Sequence, residues 1–277
     1  MADLAKRTTL DAATNQVREY GKSVSFGRAA DDYRRFRAGY PDELYRRLAA
    51  IGIGLAGQRI LDLATGTGFL GRGFARAGAL VTGIDIDLAM MREGRRLDGD
   101  GGNGLRFVGA RAEALPFPPS RFDVVCAGQA WHWFDRPRAA AEARRVLVAG
   151  GFLLSANFDW IPLPGNVADI TEQLIMKHNP RWHLNGGIGI HPEALVDAAI
   201  AGFVELETFS FDVMAPYTHE GWRGRIRASA GIGGQLNPDE VAAFDAELAA
   251  VLRERSPADP IGVHHRTWAT IARTPTA

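Results

Sequence analysis

The segment LDLATGTGFLG, residues 61–71, contains three glycines with the spacing G-x-G-x-x-G, at Gly66, Gly68 and Gly71. It follows a short apolar run that is typical of a buried strand and precedes a helical pattern, which is the context in which such loops bind nucleotides. Glycine lets the backbone turn sharply and approach a ligand, and the start of the helix points free N–H groups at it. The loop predicts a nucleotide-type cofactor site, and a tight turn without a ligand is the alternative.

Two aspartates bear on the ligand of this loop, and only Asp62 discriminates between the candidates. Asp85 ends the next predicted strand, where a carboxylate can accept hydrogen bonds from both hydroxyls of an adenosine ribose. That placement suits NAD and S-adenosylmethionine alike. Asp62 lies just before the loop, where it would repel a pyrophosphate and attract the ammonium and sulfonium groups of S-adenosylmethionine. Asp62 could also cap N–H groups of its own loop, but the pair favours S-adenosylmethionine over a dinucleotide.

The elements that must position these residues alternate between strand and helix. Alternation of this kind argues for βαβ crossovers and a parallel sheet, with ligands at the carboxyl ends of the strands. The patterns predict strands at 59–64, 80–85, 105–110, 122–129, 150–159, 204–213 and 264–273, and helices at 68–78, 87–97, 136–147 and 192–203. On the 192–203 helix, Leu195, Val196, Ala199, Ile200 and Phe203 are predicted to share one face. On the 87–97 helix, Leu88, Met91 and Arg95 are predicted to mark the inner side and its edge.

Three further segments interrupt or precede that alternation. Residues 29–50 predict two helical pieces broken at Pro41, and the first 20 residues are polar and loosely helical. Residues 160–190 and 214–258 are predicted to be helical insertions over the ligand edge, and a helix begins at Asn237 with clear capping signals. We therefore expect a single domain: a helical lid (1–55), a cofactor-binding core (56–159), two cap insertions (160–190 and 214–258) and the remainder of the core (192–213 and 259–277).

Four segments together resemble one enzyme family. ILDLATGTGFLGRGFARAGALVTGIDID (60–87) is similar to the first two motifs of class I S-adenosylmethionine-dependent methyltransferases. ARAEALPFPPSRFDVVCAGQAWHWF (110–134), RRVLVAGGFLL (144–154) and HHRTWATIAR (264–273) resemble the adenine-side loop with strand four, the Gly-Gly turn with strand five, and the last strand of that family. The resemblance implies an α/β, Rossmann-like, seven-stranded and mostly parallel sheet with helices on both faces and an antiparallel last strand. QAWHWFD (129–135) looks closest to the subgroup that methylates small molecules, the methyltransferase type 11-like proteins.

The same resemblance implies a set of cofactor contacts. The methionine part would lie near Asp62, Ala64, Gly66, Gly68 and Gln129, the ribose on Asp85, and the adenine against Ile86 and the loop with Ala112 and Glu113. Tyr33 and Arg37 would belong to a lid over the cofactor. One position departs from the family: Arg111 stands where many relatives have an Asp that accepts a hydrogen bond from the adenine amino group, and an arginine cannot accept one. A backbone carbonyl, Glu113 or water would have to replace it.

The chemistry and the acceptor are less determined by the sequence. Methyl transfer is an in-line displacement that needs a base only if the nucleophile must lose a proton. His132 is the candidate base, with a structural role between two tryptophans as the alternative. Candidate acceptor contacts, each with packing in the core as the alternative, are Trp131, Trp133, Trp160, His183 and Trp222. Arg223, Arg225 and Arg227 are either a carboxylate site for an acidic acceptor or a solvated helix face.

The composition limits the partners. The formal net charge of the 277 residues is zero, which argues against a nucleic-acid substrate. A single cysteine cannot form an internal disulfide, and the sequence shows neither a signal peptide nor a membrane span, so we expect a cytoplasmic protein. His264 and His265 point to opposite faces of a strand, and we expect no metal site. The predicted partners are a small-molecule acceptor and, at most, a second copy of the chain. An NAD(P)-dependent oxidoreductase and a non-catalytic S-adenosylmethionine-binding protein are the competing hypotheses.

Overall fold

The sheet that the alternating pattern predicts is present. The computed structural model describes residues 24–98, 105–182 and 184–276, and the predictions for the first 20 residues and for His183 lie outside these ranges. Within them, one seven-stranded sheet has the order β3-β2-β1-β4-β5-β7-β6. Its strands are β1 (Arg59–Leu63), β2 (Leu80–Asp85), β3 (Leu105–Gly109), β4 (Phe122–Gly128), β5 (Leu147–Trp160), β6 (Val204–Tyr217) and β7 (Ile261–Arg273).

Helices connect and cover the strands of this sheet. They are α1 (Ala30–Phe36), α2 (Asp42–Ala50), α3 (Phe69–Arg76), α4 (Leu88–Asp98), α5 (Arg136–Val146), α6 (Val167–His178), α7 (Glu193–Ile200), α8 (His219–Arg227) and α9 (Pro238–Arg255), and short 3-10 turns form at Phe26–Ala29 and Trp131–Trp133. The helix at Asn237 begins as predicted, with a capping box in which Asn237 and Glu240 satisfy each other's backbone N–H groups.

Pairing of the strands fixes the position of the ligand edge. β1 pairs in parallel with both β2 and β4, whereas β7 runs antiparallel to β5 and β6. The predicted mostly parallel sheet with an antiparallel last strand is therefore confirmed. Since the strand order reverses between β1 and β4, the carboxyl ends of these two strands border the crevice in which open α/β sheets bind ligands.

Both faces of the sheet are covered, because the inner strands are apolar on both sides. On one face, Leu61 and Leu63 pack with Ala139, Ala143 and Ala198 from α5 and α7. On the other face, Ile60 packs with Leu70 and Phe74 of α3 and with Leu44 and Leu48 of α2. All of these side chains are at most 3% exposed. The β1–α3 loop is thus held by tightly packed elements on either side of the sheet.

A third apolar cluster lies in the two predicted insertions, and we call this part the cap. It contains Trp222 of α8, Phe244 and Leu248 of α9 and Ile175 of α6, packed on the extended ends of β5, β6 and β7. The strands are longer than predicted, since β5 continues to Trp160 and β6 to Tyr217. β5 pairs with β7 as far as Trp160, and β6 pairs with β7 as far as Tyr217. The cap therefore packs on an extension of the sheet itself.

Two predicted helix faces are only partly right: Phe203 and Met91 are buried as predicted, at 3% and 4% exposure, whereas other members of these faces are exposed. On α7 the buried residues are Ala194 and Ala198, whereas Val196 is 44% and Ile200 72% exposed. Small alanines let α7 approach α5 closely. The two acidic residues of this helix, Glu193 and Asp197, lie on one side but are partly buried, so that they do not mark a solvent face. Leu88, predicted to face inward, is 63% exposed because it lies at the sheet edge beside the cavity described below.

Candidate functional site

The glycine loop makes its turn with three left-handed residues. Ala64, directly after β1, has φ 49°, Gly66 has φ 55° and Gly68, the N-cap of α3, has φ 87°. A Cβ atom at Gly68 would lie 2.4 Å from the Leu105 side chain, so this position needs glycine both for its conformation and for space. The turn places the start of α3 directly after the end of β1.

Asp62 is buried behind this turn without a cation. Its side chain is 1% exposed, and its Oδ2 accepts hydrogen bonds from Thr65 Oγ1 at 2.7 Å and from the Gly71 N–H at 3.2 Å. The Cys126 thiol donates to Oδ1 at 3.6 Å. No Lys, Arg or His among the described residues pairs with this carboxyl group. Burial raises the pKa of Asp62 to about 6, although its hydrogen bonds oppose that rise.

Asp85 lies at the end of β2, beside the same loop. Its Oδ2 accepts the Gly66 N–H at 2.8 Å and its Oδ1 accepts the Asp87 N–H at 2.8 Å. Burial raises its pKa, while these two hydrogen bonds stabilise the carboxylate. Each oxygen keeps a further lone pair for a ligand, and the hydrogen bond to Gly66 ties β2 to the glycine loop.

A cavity of about 840 Å³ lies over this edge of the sheet, which is the size of a cofactor pocket. Nine of the predicted cofactor residues line it: Tyr33, Arg37, Ala64, Gly66, Asp85, Ile86, Ala112, Glu113 and Gln129. Asp62 lines a narrow recess instead, which shares Tyr33, Arg37, Ala64 and Gln129 with the large cavity and which Tyr40 and Phe158 close. Gly68 lines neither the large cavity nor the recess, and its role is to allow the left-handed turn before α3.

The cavity also has walls that the sequence did not single out. Val24, Ser25 and Phe26 cover it from the N-terminal side, and Leu88 and Met90 of α4 form its floor. Phe26 meets Trp133 edge-to-face, with their ring centres 6.0 Å apart. The sequence contains one signal that Leu88 could line a cavity, which is its position as a hydrophobic residue at the start of a helix. Nothing in the sequence around residue 26 indicates a ligand.

The structure shows the surroundings of Arg111, the position that departs from the family pattern. Arg111 is largely exposed and its Nε lies 3.7 Å from Glu113 Oε2. Glu113 Oε1 accepts the Asp135 N–H at 3.0 Å, so part of this carboxylate is used to hold the loop before α5. Oε2 of Glu113 and the backbone carbonyls of the loop are left as acceptors for a ligand in the cavity.

Gln129 continues the site at the end of β4. It is a left-handed residue with φ 52°, and its Nε2 donates to the Phe158 carbonyl at 2.6 Å and to Asp159 Oδ1 at 2.7 Å. The other carboxylate oxygen of Asp159 lies 2.7 Å from His191 Nε2. Although burial alone would lower it, the carboxylates of Asp159 and Glu193 raise the pKa of His191 to about 9. An ion pair therefore anchors Gln129, whose Oε1 is left as an acceptor.

The aromatic candidates for acceptor binding separate into wall and core. Trp133 lines the large cavity. Trp131 is 3% exposed and donates to Asp197 Oδ2 at 2.8 Å, and Trp222 is fully buried and donates to Thr171 Oγ1 at 3.0 Å. Trp160, whose Nε1 donates to Glu172 at 2.7 Å, lies at the edge of the cap cluster. Only Trp133 of these four contributes to the cavities described above, and the acceptor roles of the others stay predictions.

His132 is neutral at physiological pH but lies behind the cavity wall. Its ring packs against Trp133 with 4.5 Å between ring centres. Burial, together with the positive charge of His191, lowers the pKa of His132 to about 4. A neutral imidazole can accept a proton, yet His132 lines neither the large cavity nor the recess. Its role as a base stays a prediction.

The three arginines of α8 have different surroundings. Arg223 and Arg227 pair with carboxylates: Arg223 Nε lies 3.1 Å from Asp245, and Arg227 lies 2.7 Å from Asp245 and 2.8 Å from Asp32. Arg225 is 6% exposed and packs over the Trp160 ring at 4.8 Å. Neither sequence interpretation, a common carboxylate site or a solvated face, describes all three. Across the described residues, no three His, Cys, Asp or Glu side chains are grouped to hold a metal ion.

Comparison with known proteins gives a family match over the core of the site. Residues 61–155 match the family model described as a methyltransferase domain. A demethylmenaquinone methyltransferase of Renibacterium salmoninarum is 34% identical over 138 residues, which cover 49% of this chain and 56% of that protein. The ubiquinone/menaquinone biosynthesis C-methyltransferase UbiE of Bordetella avium is 43% identical over 129 residues, covering 44% of this chain and 50% of that one. The chain thus spans about half the length of the curated relatives it matches.

Solved structures show a shared fold over most of the chain. Phosphoethanolamine N-methyltransferase 2 of Haemonchus contortus, in complex with S-adenosylhomocysteine, aligns with a TM-score of 0.54 at 18% identity, covering 89% of this chain and 57% of that one. The [4+2]-cyclase SpnF aligns with a TM-score of 0.55 at 22% identity, covering 87% and 85%. Because one of these proteins is named as a cyclase, the fold does not decide the reaction. Among the described residues, no helix has the length and apolar character needed to cross a bilayer.

Proposed function

We propose that the chain is a class I S-adenosylmethionine-dependent methyltransferase that transfers a methyl group to an O, N or C nucleophile of a small molecule, a proposal supported by the methyltransferase-domain match over residues 61–155 and by the methyltransferase relatives. The products would be S-adenosylhomocysteine and the methylated acceptor. One observation carries this proposal: a buried carboxyl group, Asp62, faces a recess beside the glycine turn and has no cation near it among the described residues. A cationic ligand would supply the missing charge.

The residues around both cavities fit S-adenosylmethionine. Asp62 would hold its ammonium group, and Asp85 would accept the ribose hydroxyls. Arg37, which lines both the recess and the large cavity, would pair with its methionine carboxylate. Ile86 is 68% exposed at the cavity wall, and a flat adenine ring would cover this apolar side chain. A pyrophosphate would fit poorly, because it would bring negative charge towards Asp62 and Asp85.

The protein's task is then to position two reactants and to keep water out. When bound, S-adenosylmethionine supplies the methyl group, and its sulfur keeps the electron pair of the broken C–S bond. The protein holds the donor through Asp62, Asp85 and Arg37, so that an acceptor held in line gains from reduced translational freedom. Phe26, Tyr33 and Trp133 cover the cavity from outside. If the nucleophile carries a proton, His132 is neutral and able to receive it through an intervening group.

The acceptor class is supported by the relatives. One relative is named a demethylmenaquinone methyltransferase and another a ubiquinone/menaquinone biosynthesis C-methyltransferase, and the aromatic residues Phe26, Tyr33 and Trp133 around the large cavity would suit a small acceptor with an apolar body. We also propose a single domain, with α1 as a lid and residues 160–190 and 214–258 as a cap. A cytoplasmic location, the absence of a nucleic-acid partner and the choice between monomer and homodimer stay predictions from the sequence.

Titration calorimetry with S-adenosylhomocysteine and with NADH tests the cofactor. We expect binding of S-adenosylhomocysteine and none of NADH, and the reverse result would favour an oxidoreductase. Turnover is a separate measurement, in which S-adenosylhomocysteine is quantified over a panel of small acids, phenols, amines and reduced quinones. Cofactor binding without any turnover on the panel would favour the non-catalytic alternative, for which the fold alone leaves room.

A further inference from the structure

Arg225 is a buried cation without a counter-ion in the cap. On the same helix, Arg223 and Arg227 are held by Asp245, Asp32 and Glu220. Arg225 points away from them and is 6% exposed, and its Nη1 has no hydrogen-bond partner among the described residues. No carboxylate in those ranges forms an ion pair with it. The Trp160 ring lies 4.8 Å from its guanidinium. This cation–π contact offsets only part of the free energy of hydration that a guanidinium loses when it is buried.

A second unpartnered polar group lies beside it. The Tyr217 hydroxyl is buried and has no hydrogen-bond partner of normal geometry in the described part of the chain, although the Arg225 guanidinium and the Ala38 N–H lie close enough to its oxygen to lower its pKa. Burial raises the pKa of Tyr217, and the positive charges of Arg225 and Arg37 oppose that rise, which places the three side chains in one electrostatic neighbourhood. Arg225 Nη1 and the Tyr217 hydroxyl are thus buried donors without an acceptor of normal hydrogen-bond geometry, which costs free energy unless a ligand supplies an acceptor.

Aromatic rings connect this pair of donors with the recess next to the glycine loop. Tyr217 stacks on His265 with ring centres 5.7 Å apart, and His265 lies 4.7 Å from Phe158. Phe158 is itself a wall of the recess that contains Asp62. On the other side, Tyr217 meets Trp222, which meets Trp160 under the Arg225 guanidinium. An acceptor that reaches from the recess to Arg225 would pass along apolar ring surfaces.

The other charged groups of this region are already matched. Both oxygens of Asp159 are used, one by Gln129 and one by His191, and Glu193 also lies against His191. Burial lowers the pKa of His265 to about 4, so this ring is neutral. Two guanidinium groups, those of Arg37 and Arg225, therefore have no carboxylate partner within the described residues. The methyl donor brings one carboxylate, and Arg37 lines the cavity in which the donor would bind. Arg225 then remains without a carboxylate partner among the described residues and the methyl donor.

We propose that the acceptor is a carboxylic acid with an apolar body, whose carboxylate binds Arg225 and Tyr217 while its body packs against Phe158 and Trp160. This inference rests on the proposed methyltransferase function and names its substrate class. A guanidinium and a phenol hydroxyl both donate hydrogen bonds to a carboxylate. The same groups would leave an uncharged acceptor, such as an amide or a quinone, without compensation for the buried charge.

Calorimetry on the wild-type protein saturated with S-adenosylhomocysteine tests the preference directly. The probes are aromatic and aliphatic monocarboxylic acids, from benzoate and cinnamate to hexanoate, each compared with its primary amide. We expect at least one acid to bind ten times more tightly than its amide, because the amide lacks the charge. If no acid on this panel exceeds its amide, the proposal is overturned. Loss of S-adenosylhomocysteine binding itself would instead contradict the methyltransferase function, so the two failures are distinguishable.

Substitutions then locate the effect. Arg225→Met should weaken binding of the preferred acid by 30-fold or more, and Tyr217→Phe by three-fold or more, with S-adenosylhomocysteine affinity unchanged within three-fold. Arg223→Met is the matched control on the same helix and should change acid binding by less than two-fold. Acid binding that survives in Arg225→Met contradicts the proposal. Bound S-adenosylhomocysteine reports that each variant is folded, and the wild-type acid and amide comparison stands without any variant.

Discussion

At the scale of single residues, Asp62 is a buried carboxyl group without a cationic partner among the described residues. Its carboxyl group is buried, and its hydrogen-bond partners among the described residues are all neutral donors: the Thr65 hydroxyl, the Gly71 N–H and the Cys126 thiol. Three such donors hold the carboxylate in place but do not neutralise it, which is why its pKa rises to about 6. A cationic ligand would lower this pKa again, and ligand binding should therefore depend on pH.

We expect affinity for S-adenosylhomocysteine to fall as the pH drops below about 6, since a protonated Asp62 no longer attracts an ammonium group. The decrease should approach about ten-fold per pH unit at most, which is one proton per ligand. Asp62→Asn should bind about ten-fold more weakly at pH 7.5 and should show a flatter pH profile. Titrations from pH 5 to pH 8 measure both, and parallel profiles of wild type and variant would contradict the assignment.

Stability supplies the control for that substitution. The folded-state pKa of Asp62 lies above its unfolded value, so the stabilising contribution of this group is present at low pH and is lost as the pH rises through about 6. Above that pH the free wild-type protein carries the cost of a buried charge, which an asparagine removes. An Asn oxygen in the position of Oδ2 would keep the bonds to Thr65 and Gly71. The free variant should therefore be at least as stable as wild type at pH 7.5.

Sequence reasoning identifies some residues of the site and cannot identify others, for a physical reason. Asp62, Gly66 and Asp85 are recognisable because the chemistry of the loop is local in sequence. Arg225 was grouped with Arg223 and Arg227, although residues four apart share a helix face and the one between them points elsewhere. That spacing was a usable signal for its separation. Nothing local reveals that Trp131 and Trp222 are core residues while Trp133 lines a cavity, because burial depends on which elements pack over them.

At the scale of elements, the turn between β1 and α3 has two left-handed glycines, Gly66 and Gly68, and a side chain would be less tolerated at Gly68. At Gly68 a Cβ atom would lie 2.4 Å from Leu105, whereas at Gly66 the nearest atom is the flexible end of Met90 at 3.3 Å. We expect Gly68→Ala to lower the free energy of unfolding by about 2–4 kcal/mol, from left-handed backbone and steric overlap together. Gly66→Ala should cost about 1 kcal/mol. Urea unfolding of both variants measures this, and equal losses would contradict the packing at Leu105.

The link between β5 and the segment before α7 is an ion pair of His191 with Asp159 and Glu193. The pKa of His191 is raised to about 9, above its unfolded value of 6.5. Its stabilisation is therefore complete below pH 6.5 and is lost as the pH rises through about 9. His191→Gln should reduce the free energy of unfolding by roughly 2–3 kcal/mol at pH 7, at about 1.4 kcal/mol per pKa unit. Urea unfolding at pH 7 and pH 10 should show this difference shrinking, whereas an equal loss at both would indicate packing alone.

The succession of elements was predictable, and their partners in space were less so. Strands β1 to β4 and helices α3 to α5 lie where hydrophobic periodicity and glycine punctuation predict them. The inner face of α7 was not predictable from polarity. The two acidic residues of EALVDAAI, Glu193 and Asp197, are partly buried because they contact His191 and Arg136. The extra length of β5 and β6 comes from their pairing with β7, and such non-local pairing leaves no trace in a short sequence window.

At the scale of the whole molecule, the lid and the cap are joined by charge. Helix α1 carries Tyr33 and is followed by Arg37, and both residues line the large cavity. One side of α1 is tied to the core through Arg34 and Glu93 at 3.0 Å. Its other side is tied to the cap through Asp32 and Arg227 at 2.8 Å. Arg227 also reaches Asp245 on α9, so one guanidinium spans lid, α8 and α9. Occupancy of the cap and closure over the cofactor should therefore be coupled.

Arg227→Gln separates the lid from the cap while leaving both cavities chemically intact. We expect its affinity for S-adenosylhomocysteine to fall about three- to ten-fold, because breaking a partly buried ion-pair network costs on the order of 1 kcal/mol and releases α1. Arg223→Gln is the matched control, since Arg223 pairs with Asp245 and Glu220 but not with the lid. It should change this affinity by less than about two-fold. Calorimetry at low and high salt measures both variants. Equal losses in the two would mean that the cap as a whole, rather than its link to α1, supports the cofactor site.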